Sequence, residues 1–455
     1  MKRILPILCS IATGAAEGQW STIEAPLQYD QVSGAGNFSK VYVAGGFDYN
    51  ANYHYIVMEY DRITGLWDDD PTMFLNTGRI KVATAIAGDR LFCAGGWVWP
   101  SQQHLAAVEV FDLAAGTLLD EAQLSQARVE IATAVVGNKV LFAGGHNAIW
   151  NSSYYDCTAY STIDIYDMAT QTWSTTTLSE ARAGMASAVL DGKAYFAGGY
   201  RGTGVGVSDR VDIYDSATDS WSTATLSEAR AFYGGGVAVG GKVMFAGGIT
   251  GEEACSATVD IYDPAADAWS TATLSAPREG VQAASVGNYA IFAGGGCGAI
   301  NWYYTSGSDV VDVYDALSDT WSTAAMSSSR INFLAVASGN QVLLLGGYDF
   351  TNDEVPLTVD VFTDASTIGI PEKEIPALNV WPNPFTDRLT IGSLDALKGV
   401  ELRVYDAQGR LIVSERLTNS LVVDLGHLAA GAYDLQLTSL DGARAIGHAH
   451  VVKTQ

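Results

Sequence analysis

The sequence predicts an all-β protein in which seven repeats of four short strands precede a smaller β-sandwich of different pattern. The first observation is a Gly-Gly pair that ends an apolar run and recurs every 47–54 residues. Its copies begin at Gly45, Gly95, Gly144, Gly198, Gly247, Gly294 and Gly346. The second is a Tyr followed seven positions later by Trp, which predicts a hairpin in five repeats. These pairs are Tyr60/Trp67, Tyr166/Trp173, Tyr214/Trp221, Tyr262/Trp269 and Tyr314/Trp321. A fixed period of this length indicates an array of equivalent units.

One repeat shows how its four strands are assigned. β-Branched and aromatic residues alternate with small or polar ones at 183–190, 194–198, 211–215 and 221–226, which indicates short strands. Asp191-Gly192 supplies a tight turn between the first two strands. Because the strands alternate in direction, the strand 2–3 loops and the connections from strand 4 to the next strand 1 share one face. We expect every long loop on that face.

The two ends of the repeat region complement each other. The last repeat stops after its third strand at 359–362, while Gln19-Trp20-Ser21-Thr22 repeats the fourth-strand pattern of Ser220-Trp221-Ser222-Thr223. We expect this N-terminal strand to complete the seventh unit and to leave no open edge between first and last. The period, strand count and Gly-Gly placement of residues 17–362 resemble the kelch repeat. The resemblance implies a seven-bladed kelch-type β-propeller in which each repeat forms one blade.

The composition excludes several classes of partner. The chain has 455 residues and a net charge of −25, from 50 acidic and 25 basic residues. The first 16 residues carry +2, residues 363–378 carry −2 and residues 379–455 carry −1, so residues 17–362 carry −24. Nucleic acid and anionic membrane surfaces would repel such a body. The hydrophobic share of 48% argues against disorder, and no apolar run is long enough for a transmembrane segment.

The first 16 residues have the pattern of a secretory signal peptide. Lys2 and Arg3 precede a short apolar segment, and Gly14-Ala15-Ala16 supplies small residues for cleavage. A secreted chain enters a compartment that permits disulfides. Cys255 and Cys297, in the long loops of neighbouring repeats, are candidates for a disulfide. Cys93 lies within a strand as a predicted buried thiol, and Cys157 has no evident partner.

The long loops are rich in aromatic and amide side chains, which predicts a ligand-binding face. Flat rings beside amides suit a sugar, since its apolar face stacks while its hydroxyls form hydrogen bonds, and they equally suit a protein partner. The alternative is that the rings only pack the loops together. The candidate ligand-binding residues of the loops are Tyr53, His54, Trp97, Trp99, His104, His146, Trp150, Tyr154, Trp302 and Tyr303.

An arginine opens strand 1 in six repeats and is also a candidate for binding. These residues are Arg79, Arg128, Arg182, Arg230, Arg278 and Arg330. If they ringed the mouth of a central channel, their guanidinium groups would bind carboxylate or sulfate. The competing interpretation is a set of structural ion pairs, because an acid recurs at a matching place in strand 3. These acids are Glu109, Asp164, Asp212, Asp260, Asp312 and Asp360.

The sequence assigns no catalytic residue. It contains no Gly-x-Ser-x-Gly elbow, no His-Glu-x-x-His and no phosphate-binding loop, and neither a metal nor another cofactor is predicted. His54, His104 and His146 could together hold a transition metal, although packing or surface positions are the simpler interpretation. Kelch-type copper oxidases use Tyr and His, and kelch-type sialic-acid epimerases use acids and Arg. Neither pattern transfers to specific residues here.

A different pattern follows residues 363–378, which are predicted to be a linker. Short alternating strands and turns over residues 379–455 predict a small immunoglobulin-like β-sandwich. Its motifs and their order resemble the type A C-terminal sorting domain of the type IX secretion system of Bacteroidetes. The residues that carry this resemblance are Pro382, Asn383, Pro384, Gly409, Arg410, Gly431, Tyr433 and Lys453. It implies that residues 379–455 engage the type IX machinery and that the protein is secreted or displayed at the cell surface.

Three classes of function compete. A module that binds a glycan or protein ligand is favoured, because the repeats are well formed and no catalytic set stands out. A carbohydrate-active enzyme of the kelch-propeller type is the second class. A structural surface protein without a specific ligand is the third. The fold alone does not choose between them, because propellers host many functions.

Overall fold

The computed structural model divides the chain into two units, Met1–Asp364 and Ala365–Gln455. It describes residues 18–26, 28–48, 52–68, 70–98, 101–150, 155–251, 254–297, 307–364, 380–383, 385–391, 400–406, 411–417, 422–439 and 445–454. The predicted signal peptide lies outside the described residues, as does most of the predicted linker. The described residues form strands and turns only, so they include no helix long and apolar enough to cross a membrane.

The first unit contains seven antiparallel sheets of four or five strands, here numbered in chain order. Sheet 1 consists of β2 (Ser33–Gly36), β3 (Lys40–Ala44), β4 (Ile56–Asp61), β5 (Leu66–Trp67) and β6 (Met73–Phe74). Sheet 2 consists of β7 (Ala83–Ala87), β8 (Arg90–Ala94), β11 (Ala107–Asp112) and β12 (Thr117–Gln123). Sheet 3 consists of β13 (Ala132–Val136), β14 (Lys139–Ala143), β17 (Thr162–Asp167) and β18 (Thr172–Thr177). Sheet 4 consists of β19 (Ala186–Leu190), β20 (Lys193–Ala197), β21 (Arg210–Asp215) and β22 (Ser220–Thr225).

The remaining three sheets repeat this order of strands. Sheet 5 consists of β24 (Gly236–Val239), β25 (Lys242–Ala246), β27 (Thr258–Asp263) and β28 (Ala268–Thr273). Sheet 6 consists of β29 (Gln282–Val286), β30 (Tyr289–Ala293), β31 (Ser308–Asp315) and β32 (Thr320–Arg330). Sheet 7 consists of β33 (Leu334–Ser338), β34 (Gln341–Leu345), β35 (Thr358–Asp364) and β1 (Gly18–Glu24). Two short hairpins on the long loops add β9 (Trp97–Val98) with β10 (Gln103–His104) and β15 (His146–Trp150) with β16 (Tyr155–Ala159). A further short pairing joins β23 (Arg230–Ala231), which precedes the first strand of sheet 5, to β26 (Ile249–Thr250), which follows its second strand.

The sheets form a closed ring. The first strand of each sheet contacts the first strand of the next, and the first strand of sheet 7 contacts that of sheet 1. Each pair of neighbouring sheets shares one buried apolar cluster, so the ring is held by seven inter-sheet cores. The inner strands carry small residues because their backbones converge on the axis. A Cβ on Gly36 would lie 2.0 Å from the carbonyl oxygen of Ala337 in sheet 7.

The N-terminal strand closes the ring. β1 pairs antiparallel with β35 over seven residues, with Trp20 opposite Phe362. Their rings are 5.1 Å apart in an edge-to-face arrangement. β35 extends two residues beyond the predicted end at 362, because the Asp364 N–H still donates a hydrogen bond of 2.9 Å to the Asn340 carbonyl.

The recurrent Tyr and Trp are cross-strand partners of one hairpin. In sheet 4, Tyr214 lies directly opposite Trp221, and their ring centroids are 5.0 Å apart. The same pairing recurs in sheets 1, 3, 5 and 6. The Asp after each Tyr begins the turn: the Oδ1 atom of Asp215 accepts the Ala217 N–H at 2.9 Å.

The second unit has two sheets around one buried core. One sheet consists of β36 (Val380–Trp381), β37 (Arg388–Ile391) and β40 (Val422–Asp424). The other consists of β38 (Val400–Asp406), β39 (Leu411–Leu417), β41 (Gly431–Ser439) and β42 (Ala445–Lys453). Leu389, Leu402 and Leu435 are buried in the core between them.

Candidate functional site

The six arginines lie inside the sheets rather than on a surface. Each is at most 2% exposed and forms an ion pair with the strand-3 acid of its own sheet. The pairs are Arg79–Glu109, Arg128–Asp164, Arg182–Asp212, Arg230–Asp260, Arg278–Asp312 and Arg330–Asp360. The arginines also do not open strand 1. Five of them precede it by four residues, and Arg230 precedes it by six. The hypothesis of a basic ring at a channel mouth does not match this arrangement, because the guanidinium groups are buried and already paired.

The arginines and the Gly-Gly pairs tie neighbouring sheets together. The Gly46 N–H of sheet 1 donates to the Arg79 carbonyl of sheet 2 at 3.0 Å, and the Arg79 Nε–H donates to the Gly95 carbonyl at 2.7 Å. The main-chain contact recurs between all successive sheets. Gly95 has φ 65°, and a Cβ there would lie 2.6 Å from the Arg128 carbonyl oxygen. Each pair must therefore be glycine for both conformational and steric reasons.

Sheet 1 replaces the ion pair with apolar groups. Tyr29 takes the place of the arginine, because it lies sixteen residues before Gly45, just as Arg79 lies sixteen residues before Gly95. Met58 takes the place of the strand-3 acid. Tyr29 is buried and stacks on His54, with ring centroids 3.8 Å apart. His54 Nε2 lies 3.5 Å from the Asp48 carboxylate. Burial lowers the pKa of His54 in spite of that carboxylate.

Two circles of residues surround the loop-face end of the inner strands, and together we term them the mouth. We call the place of the six arginines in sheets 2–7, and of Tyr29 in sheet 1, the Arg position. The residues of the first circle lie two residues after the Arg position, or three residues after it in sheet 5, and all have left-handed backbone. Its members are Gln31, Lys81, Glu130, Gly184, Tyr233, Gly280 and Asn332. The second circle follows each Gly-Gly pair and forms main-chain bridges with the residue after the Arg position. Its members are Phe47, Trp97, His146, Tyr200, Ile249, Gly296 and Tyr348.

Sequence reasoning missed the mouth as a set. It singled out Trp97 and His146 as loop residues but did not see that both occupy the same position in neighbouring repeats. Lys81 and Glu130 were not singled out for any role. The sequence does contain a signal for the mouth, namely a constant spacing. The Arg position lies sixteen residues before the first Gly of the Gly-Gly pair in every sheet except sheet 5, where the spacing is seventeen residues.

A polar cluster crosses the mouth between sheets 2 and 3. Lys81 Nζ donates to Glu130 Oε1 at 2.5 Å, and Glu130 Oε2 lies 3.2 Å from His146 Nε2. His104 lies beside His146, with ring centroids 6.2 Å apart, and its Nε2 accepts the Ala148 N–H at 3.3 Å. Burial alone would raise the pKa of the Glu130 carboxyl, but Lys81 and His146 hold that pKa well below its ordinary value. The cluster thus contains an ionised carboxylate.

His104 is neutral at physiological pH. Burial, with the nearby His146 and Lys81, lowers the pKa of His104 to about 4. The Trp97 ring also lies near His104, with ring centroids 6.5 Å apart. The cluster therefore offers a flat apolar ring next to neutral and charged hydrogen-bonding groups.

Lys81 and Glu130 hold an unfavourable backbone conformation. Both have φ 54°, whereas Gly184 and Gly280 occupy the same position in sheets 4 and 6. A left-handed residue with a Cβ costs roughly 1–2 kcal/mol. The Lys81 side chain is 38% exposed, and an ion pair that is partly open to solvent returns about 0–1 kcal/mol. The ion pair does not offset the strain of both residues, and such strain is concentrated at functional sites.

The three predicted metal-ligand histidines do not converge. His104 and His146 are neighbours, but His54 stacks on Tyr29 in sheet 1. Within the described ranges, no three His, Cys, Asp or Glu side chains are arranged to hold a metal ion.

Family comparison decides what the ring is. Residues 127–177 and 181–225, which include sheets 3 and 4, match the family model of the Kelch motif. Residues 379–446 match the model of the Secretion system C-terminal sorting domain. The ring of sheets thus carries Kelch motifs, and a secretion-system C-terminal sorting domain follows it in the chain.

A solved structure titled "Structure of YjhT" is 19% identical, with a TM-score of 0.47, and the match covers 64% of this chain and 94% of that chain. The search of curated proteins found no match.

The other predicted loop residues of the kelch propeller are only partly described. Tyr53 stacks on Phe47, with ring centroids 5.9 Å apart, and both rings are half-buried. Trp150 is described only in its main chain, at the end of β15. Trp99, Tyr154, Trp302 and Tyr303 lie outside the described residues.

Two of the propeller's four cysteines are bonded. Cys255 and Cys297, in the loops of sheets 5 and 6, form the disulfide that the sequence suggested, with Cα atoms 5.8 Å apart. Cys93 and Cys157 are free and buried. Burial raises the pKa of Cys93 to about 12 and that of Cys157 to about 11, so neither is a reactive thiolate at neutral pH.

The described sorting-motif residues hold the second unit together. The Asn383 side-chain oxygen accepts the Val452 N–H at 2.9 Å, and the Tyr433 hydroxyl donates to the Ala429 carbonyl at 2.9 Å. The buried Lys453 ammonium donates to the Gly426 carbonyl at 3.2 Å and lies 5.8 Å from the Phe385 ring centre. Gly431 begins β41 and Pro382 is exposed. Pro384, Gly409 and Arg410 lie outside the described residues. The sorting domain indicates secretion or cell-surface export through the type IX system.

Proposed function

We propose that this protein is an exported carbohydrate-binding module whose ligand lies on the loop face of the kelch propeller, at the mouth. The observation that carries the proposal is the circle of residues after the Gly-Gly pairs. Five of its seven positions carry a ring, and these rings are half-buried: Phe47, Trp97, His146, Tyr200 and Tyr348. An aromatic residue at one structurally equivalent position in successive sheets gives a surface of flat rings around a single point.

Flat rings with polar neighbours suit a sugar. The apolar face of a pyranose stacks on an aromatic ring, and carboxylate and imidazole groups form hydrogen bonds with its hydroxyls. The rings sit on a rigid ring of sheets, so little conformational entropy is lost when a ligand is bound. The proposal includes a signal peptide cleaved near Ala16, which is supported by the start of β1 at Gly18. We also propose that the propeller ends near residue 362 and that residues 363–378 form a linker.

The experiment is a glycan array probed with protein purified from the culture medium, followed by calorimetry with the strongest ligand. We expect Trp97→Ala to weaken binding at least tenfold, because the half-buried ring beside His104 is lost. Phe38→Ala is the matched control, since Phe38 is a 54% exposed aromatic residue in the turn between β2 and β3, on the opposite face. Capture of a protein ligand with no glycan bound would contradict the proposal and favour protein recognition.

One observation supports a carbohydrate-active enzyme as the second candidate. Glu130 Oε2 and His146 Nε2 are 3.2 Å apart at the mouth, so a carboxylate and an imidazole are placed to exchange a proton. Incubation of the bound glycan with the protein, followed by product analysis, separates the candidates: turnover that Glu130→Gln abolishes indicates an enzyme, and an unchanged glycan indicates a binding module.

A further inference from the structure

Lys81 and Glu130 share the left-handed backbone conformation of the whole first circle, in which sheets 4 and 6 carry glycine. They occupy left-handed positions in adjacent sheets, and Gly280 shows that the same ring position is compatible with glycine. Long side chains without local hydrogen-bonding ability rarely adopt this conformation. Their side chains meet across the mouth, so the strained backbone brings a cation and an anion to one point. Such strain persists where a side chain is required for function.

The cluster has an unused hydrogen-bonding atom. His146 Nε2 faces Glu130, and its other nitrogen, Nδ1, is buried and has no hydrogen-bond partner in the described part of the chain. Buried polar atoms of folded proteins are satisfied by protein, water or ligand. Trp97, whose ring centroid lies 6.5 Å from that of His104, is half-buried at the same circle position as His146. The cluster thus combines an incomplete hydrogen-bond network with a stacking ring.

The charges at this site favour an uncharged ligand. The Lys81 ammonium is neutralised by Glu130, and the propeller's six recurrent arginines are buried in ion pairs. Glu279, the residue after the Arg position in sheet 6, adds a buried carboxyl group next to the mouth. Residues 17–362 carry −24. A uronic, sialic or sulfated sugar would meet this negative field. The guanidinium group of Arg201, which follows Tyr200 of the second circle, is 37% exposed but lies 3.5 Å from the Glu180 carboxylate.

We infer that Lys81, Glu130 and His146 form the polar half of a subsite for one monosaccharide unit of a neutral glycan, with Trp97 as its stacking ring. This inference rests on the proposed carbohydrate-binding function. It goes further in naming the subsite and in restricting the ligand to uncharged sugars. The proposed subsite accounts for the left-handed backbone strain at Lys81 and Glu130, because glycine at either position would relieve the strain but remove a side chain that contacts the ligand.

The test uses the full secreted protein and an array of neutral hexose, N-acetylhexosamine, uronic-acid and sulfated oligosaccharides. We expect neutral oligosaccharides to bind and acidic ones to bind at least tenfold more weakly. Lys81→Gly and Glu130→Gly should reduce affinity at least tenfold, while the midpoint of thermal unfolding stays the same or rises. Glu130→Gln retains the side-chain shape and should also reduce affinity.

The matched control is Gln171→Gly. Gln171 lies in an exposed turn of sheet 3 with φ 56°, so this change relieves the same strain as Glu130→Gly but lies away from the mouth. It should leave affinity within twofold of wild type. Wild-type affinity in all three cluster variants, or a preference for acidic oligosaccharides, would overturn the inference and leave carbohydrate binding standing. Failure of the wild-type protein to bind any oligosaccharide would overturn the proposed function and the inference with it.

Discussion

Arg128, four residues before the first strand of sheet 3, pairs with Asp164 on the third strand, with Nη2 and Oδ2 2.6 Å apart and both side chains at most 5% exposed. Asp164 also accepts the N–H of Ser125, three residues before Arg128. The carboxylate therefore fixes both ends of the connection that enters sheet 3. An equivalent acid does so in every sheet from 2 to 7.

We predict that Asp164→Ala lowers the free energy of unfolding by roughly 3–5 kcal/mol, because it leaves the Arg128 charge buried without a partner. Urea denaturation of the purified protein measures the loss. Lys193→Ala is the control, since Lys193 is 45% exposed and 3.5 Å from Asp215, and its loss should stay below about 1 kcal/mol. Equal losses in the two variants would show that the buried pair does not hold the sheet.

A second prediction separates the two reasons for glycine in the Gly-Gly pairs. Gly95 and Gly65 have similar φ angles, 65° and 69°, but a Cβ on Gly95 would meet Arg128 and Ile131, whereas one on Gly65 would meet nothing within 4 Å. Gly65→Ala should cost only the backbone strain, about 1–2 kcal/mol. Gly95→Ala should cost a further 1–3 kcal/mol from overpacking. Denaturation midpoints compare the two, and equal costs would contradict the steric part.

The repeat architecture was predictable because its signals are local. Seven positions separate Tyr214 from Trp221, and that spacing places the two residues opposite each other across a two-strand hairpin. The closing strand was predictable for the same reason, since Trp20 repeats the pattern of Trp221. The sorting motifs were also local, and the matching family model spans most of the same residues.

The depth of the arginines and the mouth cluster were not predictable in this way. The direction of the Arg182 side chain, into its sheet or into a channel, depends on Gly184, the left-handed residue two positions later. Gly184 ends the extended chain before strand 1 begins. Lys81 and Glu130 are 49 residues apart, and the packing of sheet 2 against sheet 3 brings their side chains together. No local pattern records a contact between two repeats.

Asp30 predicts a pH dependence of stability. Burial raises the pKa of this carboxyl to about 7, although the Gln31 N–H and Lys81 oppose it. Between pH 4 and pH 7 the folded protein therefore keeps a proton that the unfolded chain releases, and this contribution to stability is lost as the pH rises through 7.

Asp30→Asn removes this titration while retaining an oxygen for the Gln31 N–H. The variant and the wild type should be about equally stable at pH 4, and the variant should be more stable at pH 8, on the order of 3 kcal/mol. Guanidinium denaturation at the two pH values measures the difference. A constant difference between the proteins at both pH values would show that Asp30 does not titrate in this range.

Removal of residues 380–455 should abolish export without unfolding the propeller. The ring is closed by β1 and β35 within the first unit, and the second unit has its own core around Leu402 and Leu435. We expect the truncated protein to collect in the periplasm with the unfolding midpoint and glycan binding of the full-length propeller. Fractionation and immunoblotting locate the truncated protein.

Lys453→Ala, which removes a buried cation held by the Gly426 carbonyl and the Phe385 ring, should weaken the second unit alone and reduce export. The Trp97→Ala variant is the control, because it alters the mouth and should be exported like wild type. Normal appearance of the truncated protein in the medium would refute the assignment of residues 379–455 as the export signal.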